Sequence, residues 1–373
     1  MSDLAESSAL SLISPQLPVS WYFDPAIYAL ELEHLFQRGP RYVGHELMTP
    51  EPGTYRALEL FNGAKVLVRA GDDIELLSNI CRHRQAVMLD GQGKLPGGNI
   101  VCPLHRWTYD AQGTLLGAPE FPGNPCMNLA RTGLARWQGL LFDNAGRDVE
   151  KDLATMRAAR DLDFSGFVLD SVQVTDYAFN WKTFIEVYLE DYHVAPAHPG
   201  LGGFVTCDDL EWEYGDWWSV QTVGVNGGLA RAGSDVYRKW QEQLLAYRRG
   251  EAPRHGAIWL TYYPGLMVEW YPHVLVISTI VPTGIESCRN IVEFYYPEDI
   301  ALFERAFIEA EQAAYLETAV EDEDLCNRMQ RGRRALFEQG LSETGPYQSP
   351  MEDGMMHFHT FLRRELAPYL PER

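Results

Sequence analysis

The spacing of hydrophobic residues changes along the chain, and each change marks a different kind of secondary structure. Residues 26–38 have the periodicity of a helix, with Asp24 as the N-cap and Gly39 directly after the end. Residues 42–148 contain short strand-like runs, such as residues 65–69, which are separated by turn sequences, and they contain no long amphipathic segment. We therefore predict an opening helix followed by a small all-β module.

The remainder of the chain mixes both patterns. The strand-like runs are residues 169–176, 258–282 and 288–296, and the helical runs are residues 181–192 and 301–339. The predicted fold class is α+β. The β module of residues 42–148 is inserted into a second domain, which is made of residues 1–41 and 149–373.

Composition narrows the classes of function. The 373 residues are 46% hydrophobic with a formal net charge of −21, so the chain can bury a large core but would be repelled by nucleic-acid phosphates. The first basic residue is Arg38, the apolar stretch of residues 9–13 is too short for a secretory signal, and no apolar run reaches membrane-spanning length. We expect a cytoplasmic protein that binds neither nucleic acid nor membrane.

Two cysteine–histidine pairs form the first candidate site. Cys81 and His83 make one pair, and Cys102 and His105 make the other, each at a strand end or turn. A Cys2His2 zinc site would normally place Cys with Cys and His with His, and free thiols beside surface histidines would make the pairing an accident. The interleaved order favours a Rieske cluster, in which two cysteines hold one iron and two histidines hold the other.

The second candidate site contains His193 and His198. Pro196 is expected to interrupt the predicted helix and to bring His198 back beside His193. Two histidines and one carboxylate form the facial triad of non-haem iron(II) oxygenases, which leaves three coordination positions open. From local chemistry alone, any acid among residues 321–324 could supply the carboxylate.

Both sites resemble those of the Rieske non-haem iron oxygenases, in their catalytic (alpha) subunit. The resemblance is carried by Cys-x-His, by Cys-x-x-His-x-Trp-x-Tyr, by Asn-Trp-Lys, and by Glu-Asp-Tyr-His with a second His-Pro. It implies a catalytic domain of the helix-grip type, a curved antiparallel sheet packed by helices. The family usually has glycine where this chain has Gln85 and Arg106. The implied ligands are Cys81, His83, Cys102 and His105 for a 2Fe–2S cluster, and His193, His198 and Asp322 for a mononuclear iron.

The resemblance also implies a route for electrons. In this family a head-to-tail ring, usually a homotrimer, sets one subunit's cluster beside its neighbour's iron, and an acid three residues before the first iron histidine bridges them. That acid is Glu190 here, with Asp191 as the alternative. Because the glycines of residues 91–98 do not lie between a strand and a helix, no flavin or nucleotide site is predicted. Electrons are expected from a separate NAD(P)H-dependent reductase, with or without a ferredoxin.

The substrate is less constrained by the sequence. Residues 259–263 and 270–273 are rich in aromatic side chains, which suit a sheet core or a pocket wall that attracts a trimethylammonium group. Glutamate at the bridging position resembles the branch that oxidises quaternary ammonium compounds by N-demethylation or C–N cleavage, which we slightly favour. The alternatives are an oxygenase that hydroxylates aromatic rings or aryl acids, and a Rieske electron carrier without oxygen chemistry.

Overall fold

A computed structural model describes residues 16–370, so the predicted absence of a signal around residues 9–13 lies outside the described residues. The chain divides into two compact units. One unit is Arg38–Ala154, and the other combines Met1–Gln37 with Thr155–Arg373. The β-rich unit is thus an insertion in the sequence of the larger one.

The unit Arg38–Ala154 is built almost entirely of short antiparallel strands. Its five-stranded sheet has the order Gln92–Lys94, Thr54–Ala57, Lys65–Ala70, Asp73–Ser78 and Arg131–Thr132. A three-stranded sheet contains Tyr42–His45, Leu140–Asp143 and Leu134–Trp137, and a second contains Ile100–Val101, Thr108–Tyr109 and Leu115–Gly117. The described helical turns are Glu46–Met48, Glu59–Phe61, Pro96–Gly98 and Val149–Leu153.

The core of this unit continues into the predicted cluster site. Val66 and Val68 are fully buried in the five-stranded sheet and pack in one hydrophobic cluster with Cys81, Cys102 and Trp107. The two cysteines are therefore held by the apolar core and not by a flexible loop.

The larger unit is organised around a seven-stranded antiparallel sheet. Its order is Phe167–Tyr177, Ser287–Pro297, Val274–Gly284, Leu266–Tyr271, Ala257–Tyr262, Trp218–Val225 and Val205–Tyr214. The last two strands were not predicted. The helices are Val19–Tyr22, Pro25–Glu31, Leu32–Phe36, Arg157–Asp161, Trp181–Tyr188, Val194–Ala197, Pro199–Gly202, Asn226–Leu229, Asp235–Tyr247, Glu298–Phe303, Arg305–Glu338, Asp353–Leu366 and Ala367–Tyr369.

Several predicted helices have different ends in the structure. The opening helix begins as predicted, with Asp24 accepting from the amide of Ala26 at 2.8 Å, but it changes to π geometry over Leu32–Phe36. The long helix is Arg305–Glu338, because Glu304 has a non-helical backbone (φ −119°, ψ 52°) that separates it from the preceding short helix. The helix predicted to reach residue 192 ends at Tyr188.

The Asn-Trp-Lys sequence joins the N-terminal segment to the rest of the larger unit. Asn180 caps the helix Trp181–Tyr188 by accepting from the amide of Lys182 at 2.9 Å. The ammonium of Lys182 lies 2.6 Å from Glu31, and neither side chain is exposed. A pair buried this completely requires both partners, because either charge alone would be left desolvated.

These observations confirm the predicted fold class: a β module inserted in sequence into an α+β domain with an antiparallel sheet and helices. Within residues 16–370, no helix combines the length and apolar character needed to cross a membrane.

Candidate metal centres

The two cysteine–histidine sequences form a pair of matching loops, residues 81–86 and 102–107. In the first, the amide of Cys81 donates to the carbonyl of Ala86 at 2.8 Å, and the amide of Gln85 donates to the carbonyl of Cys81 at 3.1 Å. Both bonds recur at the equivalent positions of residues 102–107. The two loops therefore share one backbone pattern with the cysteine at the same position, while the histidine follows the cysteine by two residues in the first loop and by three in the second.

The loops explain why the family prefers glycine at two positions. Gln85 has a φ of 55° and Arg106 has a φ of 61°, so both lie in the left-handed region. A side chain there costs about 1 kcal/mol or more, which glycine avoids. The departures from glycine therefore strain the backbone without altering the hydrogen-bond pattern of the loops.

The four donors gather as a thiol pair and an imidazole pair. Cys81 and Cys102 are buried in the same hydrophobic cluster, and the hydroxyl of Tyr109 lies 3.7 Å from the Cys81 sulfur. The rings of His83 and His105 lie 4.7 Å apart, nearer the surface, and Trp107 stacks on His83. Burial raises the pKa of the Cys102 thiol, so an uncompensated thiolate would be unfavourable there.

This arrangement fits two metal ions better than one. A tetrahedral zinc would draw three or four donor atoms to one point, and among the described residues only His193, His198 and Asp322 make such a group. In addition, His83 Nδ1 is buried without a hydrogen-bond partner, which leaves a donor atom free for a metal. The chemistry of the donor set thus fits a 2Fe–2S cluster held by Cys81, Cys102, His83 and His105.

In the second site, the chain turns before the first histidine. After the helix end at Tyr188, a turn closes with the amide of Val194 donating to the carbonyl of Asp191 at 3.0 Å. The predicted break at Pro196 is wrong, because Pro196 lies within the short helix Val194–Ala197. Proline is tolerated in a first helical turn, where its missing amide hydrogen has no intrahelical partner.

The turn and the long helix together bring three donor atoms close to one another. His193 Nε2 lies 3.0 Å from His198 Nε2, and Asp322 Oδ1 lies 2.9 Å from His198 Nε2 and 3.4 Å from His193 Nε2. Asp322 projects from the long helix, and His198 is only 1% exposed. One metal ion can be bound by all three atoms from the same side, which fits a facial triad.

A carboxylate holds the other nitrogen of each histidine. Glu190 Oε1 lies 2.7 Å from His193 Nδ1, and Glu321 Oε2 lies 2.7 Å from His198 Nδ1. A carboxylate in this position favours the proton on Nδ1, through a hydrogen bond at His198 and through its charge at His193, and so leaves the Nε2 lone pair for the metal. Glu321 was one of four undistinguished acids in the sequence; its position next to Asp322 was the only signal.

The three donor groups of the triad shift one another's pKa. Burial lowers the pKa of His193, but hydrogen bonds to Asp322 and Glu190 outweigh it and raise this pKa to about 10. Burial alone would raise the pKa of Asp322, but the hydrogen bonds from His193 and His198 outweigh burial and lower this pKa. A metal ion would therefore replace a proton shared among these groups.

Asp191 lies beside the triad but faces a different partner. It is 3% exposed, its Oδ1 accepts from the amide side chain of Gln221, and its Oδ2 has no partner among the described residues. Burial raises the pKa of Asp191 to about 7. Glu190, by contrast, accepts from the backbone amide of His193 at 3.0 Å and is the acid nearest its ring.

A cavity of about 160 Å³ opens onto the triad, which is small for a ligand pocket and suits a small molecule. Trp259 and Tyr271 line it, whereas Tyr262 and Tyr263 belong to the buried core. Sequence reasoning missed two acids in its wall, Glu269 and Glu311, whose strand and helix gave no sign of facing a pocket. Among the described lining residues, none is lysine or arginine.

An all-β unit with two Cys/His loops and an α+β unit with a His/His/Asp triad together define a Rieske-type non-haem iron oxygenase. Family models agree with this class. The Rieske [2Fe-2S] domain matches residues 42–129, and the ring hydroxylating alpha subunit (catalytic domain) matches residues 157–367.

Known proteins show the same relationship. A putrescine 2-hydroxylase of Ralstonia nicotianae is 60% identical, over 96% of this chain and 98% of the relative. A putrescine 2-hydroxylase of Bordetella bronchiseptica is 53% identical, over 98% and 88%. The fold is similar to the crystal structure of a quaternary ammonium Rieske monooxygenase, with a TM-score of 0.75 at 20% identity over 95% and 96% of the two chains.

The chain belongs to the ring-hydroxylating alpha-subunit family of Rieske oxygenases. It is therefore an oxidoreductase that carries a Rieske 2Fe–2S cluster and a mononuclear iron, as predicted.

Proposed function

We propose that this protein hydroxylates a carbon of a short aliphatic diamine, with 1,4-diaminobutane (putrescine) as the substrate. The observation that carries the proposal is the 60% identity, over nearly the whole of both chains, to a relative named putrescine 2-hydroxylase. The cavity supports it independently, because its wall contains carboxylates and aromatic rings but no described lysine or arginine.

The charge of the cavity distinguishes the candidate substrate classes. An aryl acid would bring a second anion to a wall that already contains Glu269 and Glu311, which is unfavourable. A quaternary ammonium ion would be attracted by the rings but has no N–H group to donate to the carboxylates. A primary ammonium supplies both the charge and the hydrogen-bond donors.

The overall reaction consumes one O2, two electrons and two protons. One oxygen atom replaces a C–H bond by a C–OH group, and the other leaves as water after the O–O bond breaks. When bound, the mononuclear iron would supply oxygen activation, and the cluster would supply electrons that originate from a separate NAD(P)H-dependent reductase, with or without a ferredoxin. We propose both this reductase partner and the assembly of the chain into a homotrimer.

The chain's own residues have three tasks in this scheme. His193, His198 and Asp322 would hold the iron, and Cys81, His83, Cys102 and His105 would hold the cluster. Glu190 and Glu321 orient the two iron histidines. The aromatic wall holds the aliphatic chain of the substrate and excludes water from it.

Glu190 is also proposed as the bridge between subunits. Its carboxylate accepts from the backbone amide of His193 and lies 2.7 Å from Nδ1 of its ring, and the Glu190 side chain is 15% exposed. The partner subunit's His105 would approach this carboxylate in the trimer. Asp191 is the weaker candidate, because it is buried and hydrogen-bonded to Gln221.

The test is a product analysis with the purified holoenzyme and a surrogate reductase. The substrates are 1,4-diaminobutane, choline, glycine betaine and benzoate, and mass spectrometry detects addition of one oxygen atom or loss of a methyl group. We expect a hydroxylated diamine as the main product. Demethylation of a betaine or oxygenation of benzoate, without turnover of the diamine, would contradict the proposal.

A further inference from the structure

One face of the long helix Arg305–Glu338 connects the metal site with the deep end of the cavity. Glu311, Tyr315, Thr318 and Asp322 are spaced by four, three and four residues, so they lie on one side of the helix, and all four line the cavity. The helix rise places Tyr315 about 10 Å along the axis from Asp322. A short aliphatic chain can occupy the space between these levels.

Glu269 lies at the level of Tyr315 and is built into the wall. It is 1% exposed, and its two oxygens accept from the hydroxyls of Tyr271 at 2.8 Å and Tyr315 at 3.1 Å. Trp259 donates its indole N–H to the hydroxyl of Tyr271 at 3.0 Å, which fixes that tyrosine as a donor to Glu269. The carboxylate is thus positioned by neutral donors alone.

Glu311 adds a second buried carboxylate, and only one of its two oxygens accepts a hydrogen bond from a described residue. It is 1% exposed, and its Oε2 accepts from the hydroxyl of Tyr296. Among the described residues, no hydrogen-bond partner is recorded for its Oε1. A nine-tenths buried carboxylate that lines a cavity with one unpartnered oxygen indicates a ligand that donates hydrogen bonds.

Among the residues that the structure describes, none supplies a cation to either acid. Trp240, Tyr237 and Phe294 belong to the hydrophobic core that encloses this end of the cavity. Burial raises the pKa of Glu269 to about 7 and that of Glu311 to about 8, and no basic residue acts against it in either case. Burying an ionised carboxylate without a basic partner is unfavourable in free energy unless a positively charged group pairs with it.

We propose that Glu269, supported by Glu311, forms the subsite that receives the ammonium group of the substrate farther from the iron. This inference rests on the proposed diamine substrate and deepens it. The ammonium donates charge-assisted hydrogen bonds to the two carboxylates while Tyr271 and Tyr315 keep Glu269 in place. The subsite thereby sets which carbon of the chain lies at the metal, and it selects primary amines over quaternary ones.

The test measures binding, so it does not depend on turnover. Isothermal titration of the oxidised holoenzyme under anaerobic conditions compares 1,4-diaminobutane with butane-1,4-diol, in which both ammonium groups are replaced by hydroxyls. The wild type is expected to bind the diamine at least about tenfold more tightly, since a hydrogen bond to a charged group is worth more than a neutral one. Equal affinities in the wild type would overturn the inference without any variant.

Two variants test whether Glu269 and Glu311 cause the preference for the diamine. Glu269→Gln is expected to remove it, bringing the two affinities within about twofold, and Glu311→Gln is expected to reduce it. The matched control is Glu293→Gln: Glu293 is 3% exposed and accepts from Tyr295 at 2.6 Å, but it does not line the cavity. The control should keep the wild-type preference, and a variant at residue 269 that keeps it too would refute the subsite.

These measurements also separate the two proposals. If the diamine binds with a preference that Glu269→Gln removes, but no hydroxylated product forms, the subsite stands and the proposed reaction fails. If the diamine is hydroxylated by the wild type and the preference survives in both Gln variants, the reaction stands and the subsite fails. Circular dichroism and iron content of each variant verify that folding is intact, and Glu311→Gln serves if Glu269→Gln does not fold.

Discussion

At the scale of single residues, the side chains that contact the metal-binding residues are as informative as the metal-binding residues themselves. Two histidines alone could have been surface residues, but each has a carboxylate oxygen 2.7 Å from its Nδ1, from Glu190 for one and from Glu321 for the other. The two glutamates therefore share one local role. Only Glu190 is also proposed to reach the neighbouring subunit, and this difference can be measured.

Glu190→Gln is expected to lose about 100-fold in coupled turnover even when it is loaded to wild-type iron content, because the electron bridge is broken. Glu321→Gln is the matched control. It should bind iron more weakly, since His198 is less well oriented, but should recover most of its turnover once loaded. Steady-state product formation and iron analysis check both. Full activity of loaded Glu190→Gln, with loss in Asp191→Asn, would transfer the bridge to Asp191.

Strain at the cluster loops leads to a prediction about stability. Because Arg106 and Gln85 have positive φ, replacing either by glycine should relieve a cost of about 1 kcal/mol, part of which is offset by the greater freedom of the unfolded chain. We expect Arg106→Gly to raise the midpoint of chemical denaturation slightly, with the visible spectrum of the cluster unchanged. Arg106→Ala, which keeps a Cβ, should give no such gain.

At the scale of secondary-structure elements, one buried carboxylate joins four segments. Glu186, on the helix Trp181–Tyr188, accepts from Arg333 at 2.6 Å, from His359 at 2.8 Å and from the hydroxyl of Tyr22. These partners come from the long helix, the C-terminal helix and the N-terminal segment. The contact explains why chain segments far apart in sequence form one unit.

Glu186→Gln is expected to destabilise the protein by about 3–5 kcal/mol, because it leaves the charge of Arg333 buried without its partner. Chemical denaturation at neutral pH measures this. Glu309→Gln on the long helix is the control: Glu309 is 67% exposed and 3.4 Å from Arg305, so its loss should cost less than about 1 kcal/mol.

The same residue predicts a pH dependence. Burial alone would raise the pKa of Glu186, but Arg333 and the hydrogen bond from His359 lower it to about 2 in the folded protein, from an ordinary value of 4.5. The stabilisation is therefore complete above about pH 4.5 and is lost as the pH falls toward 2. The difference in unfolding free energy between wild type and Glu186→Gln should shrink by about 1 kcal/mol between pH 6 and pH 3.5. A constant difference would contradict it.

At the scale of the whole molecule, each compact unit contains the residues of one metal centre. The cysteine–histidine loops belong to Arg38–Ala154, and the triad belongs to the larger unit. No donor of either set comes from the other unit. The two centres should therefore be separable by mutation.

Metal and sulfide analysis tests this independence. The wild type should contain about three irons and two acid-labile sulfides per chain, His198→Ala about two irons with both sulfides, and Cys102→Ser about one iron and no sulfide. Loss of the cluster spectrum in His198→Ala would show that the two centres depend on each other. Two irons in the wild type would contradict the expected iron content.

The sequence by itself determined the kinds of donors, the fold class and the alternation of strands and helices. Ligand chemistry depends on residue type and short spacing, as in Cys81 and His83, and strand formation depends on local patterning, so both are readable locally. The turn before His193 could not be predicted from the local sequence. Pro196 fits a helix start as well as a helix break, and only packing selects between them.

Only the tertiary structure decided which distant residues meet. Glu321, Glu269 and Glu311 look like ordinary acids in the sequence, because a glutamate on a helix or strand is usually solvated. Their roles depend on contacts between different elements of the fold, which join Glu321 to His198, Glu269 to Tyr315 and Glu311 to Tyr296. Such contacts form when helix faces pack against a sheet, and no local pattern encodes which face a given acid will turn toward the cavity.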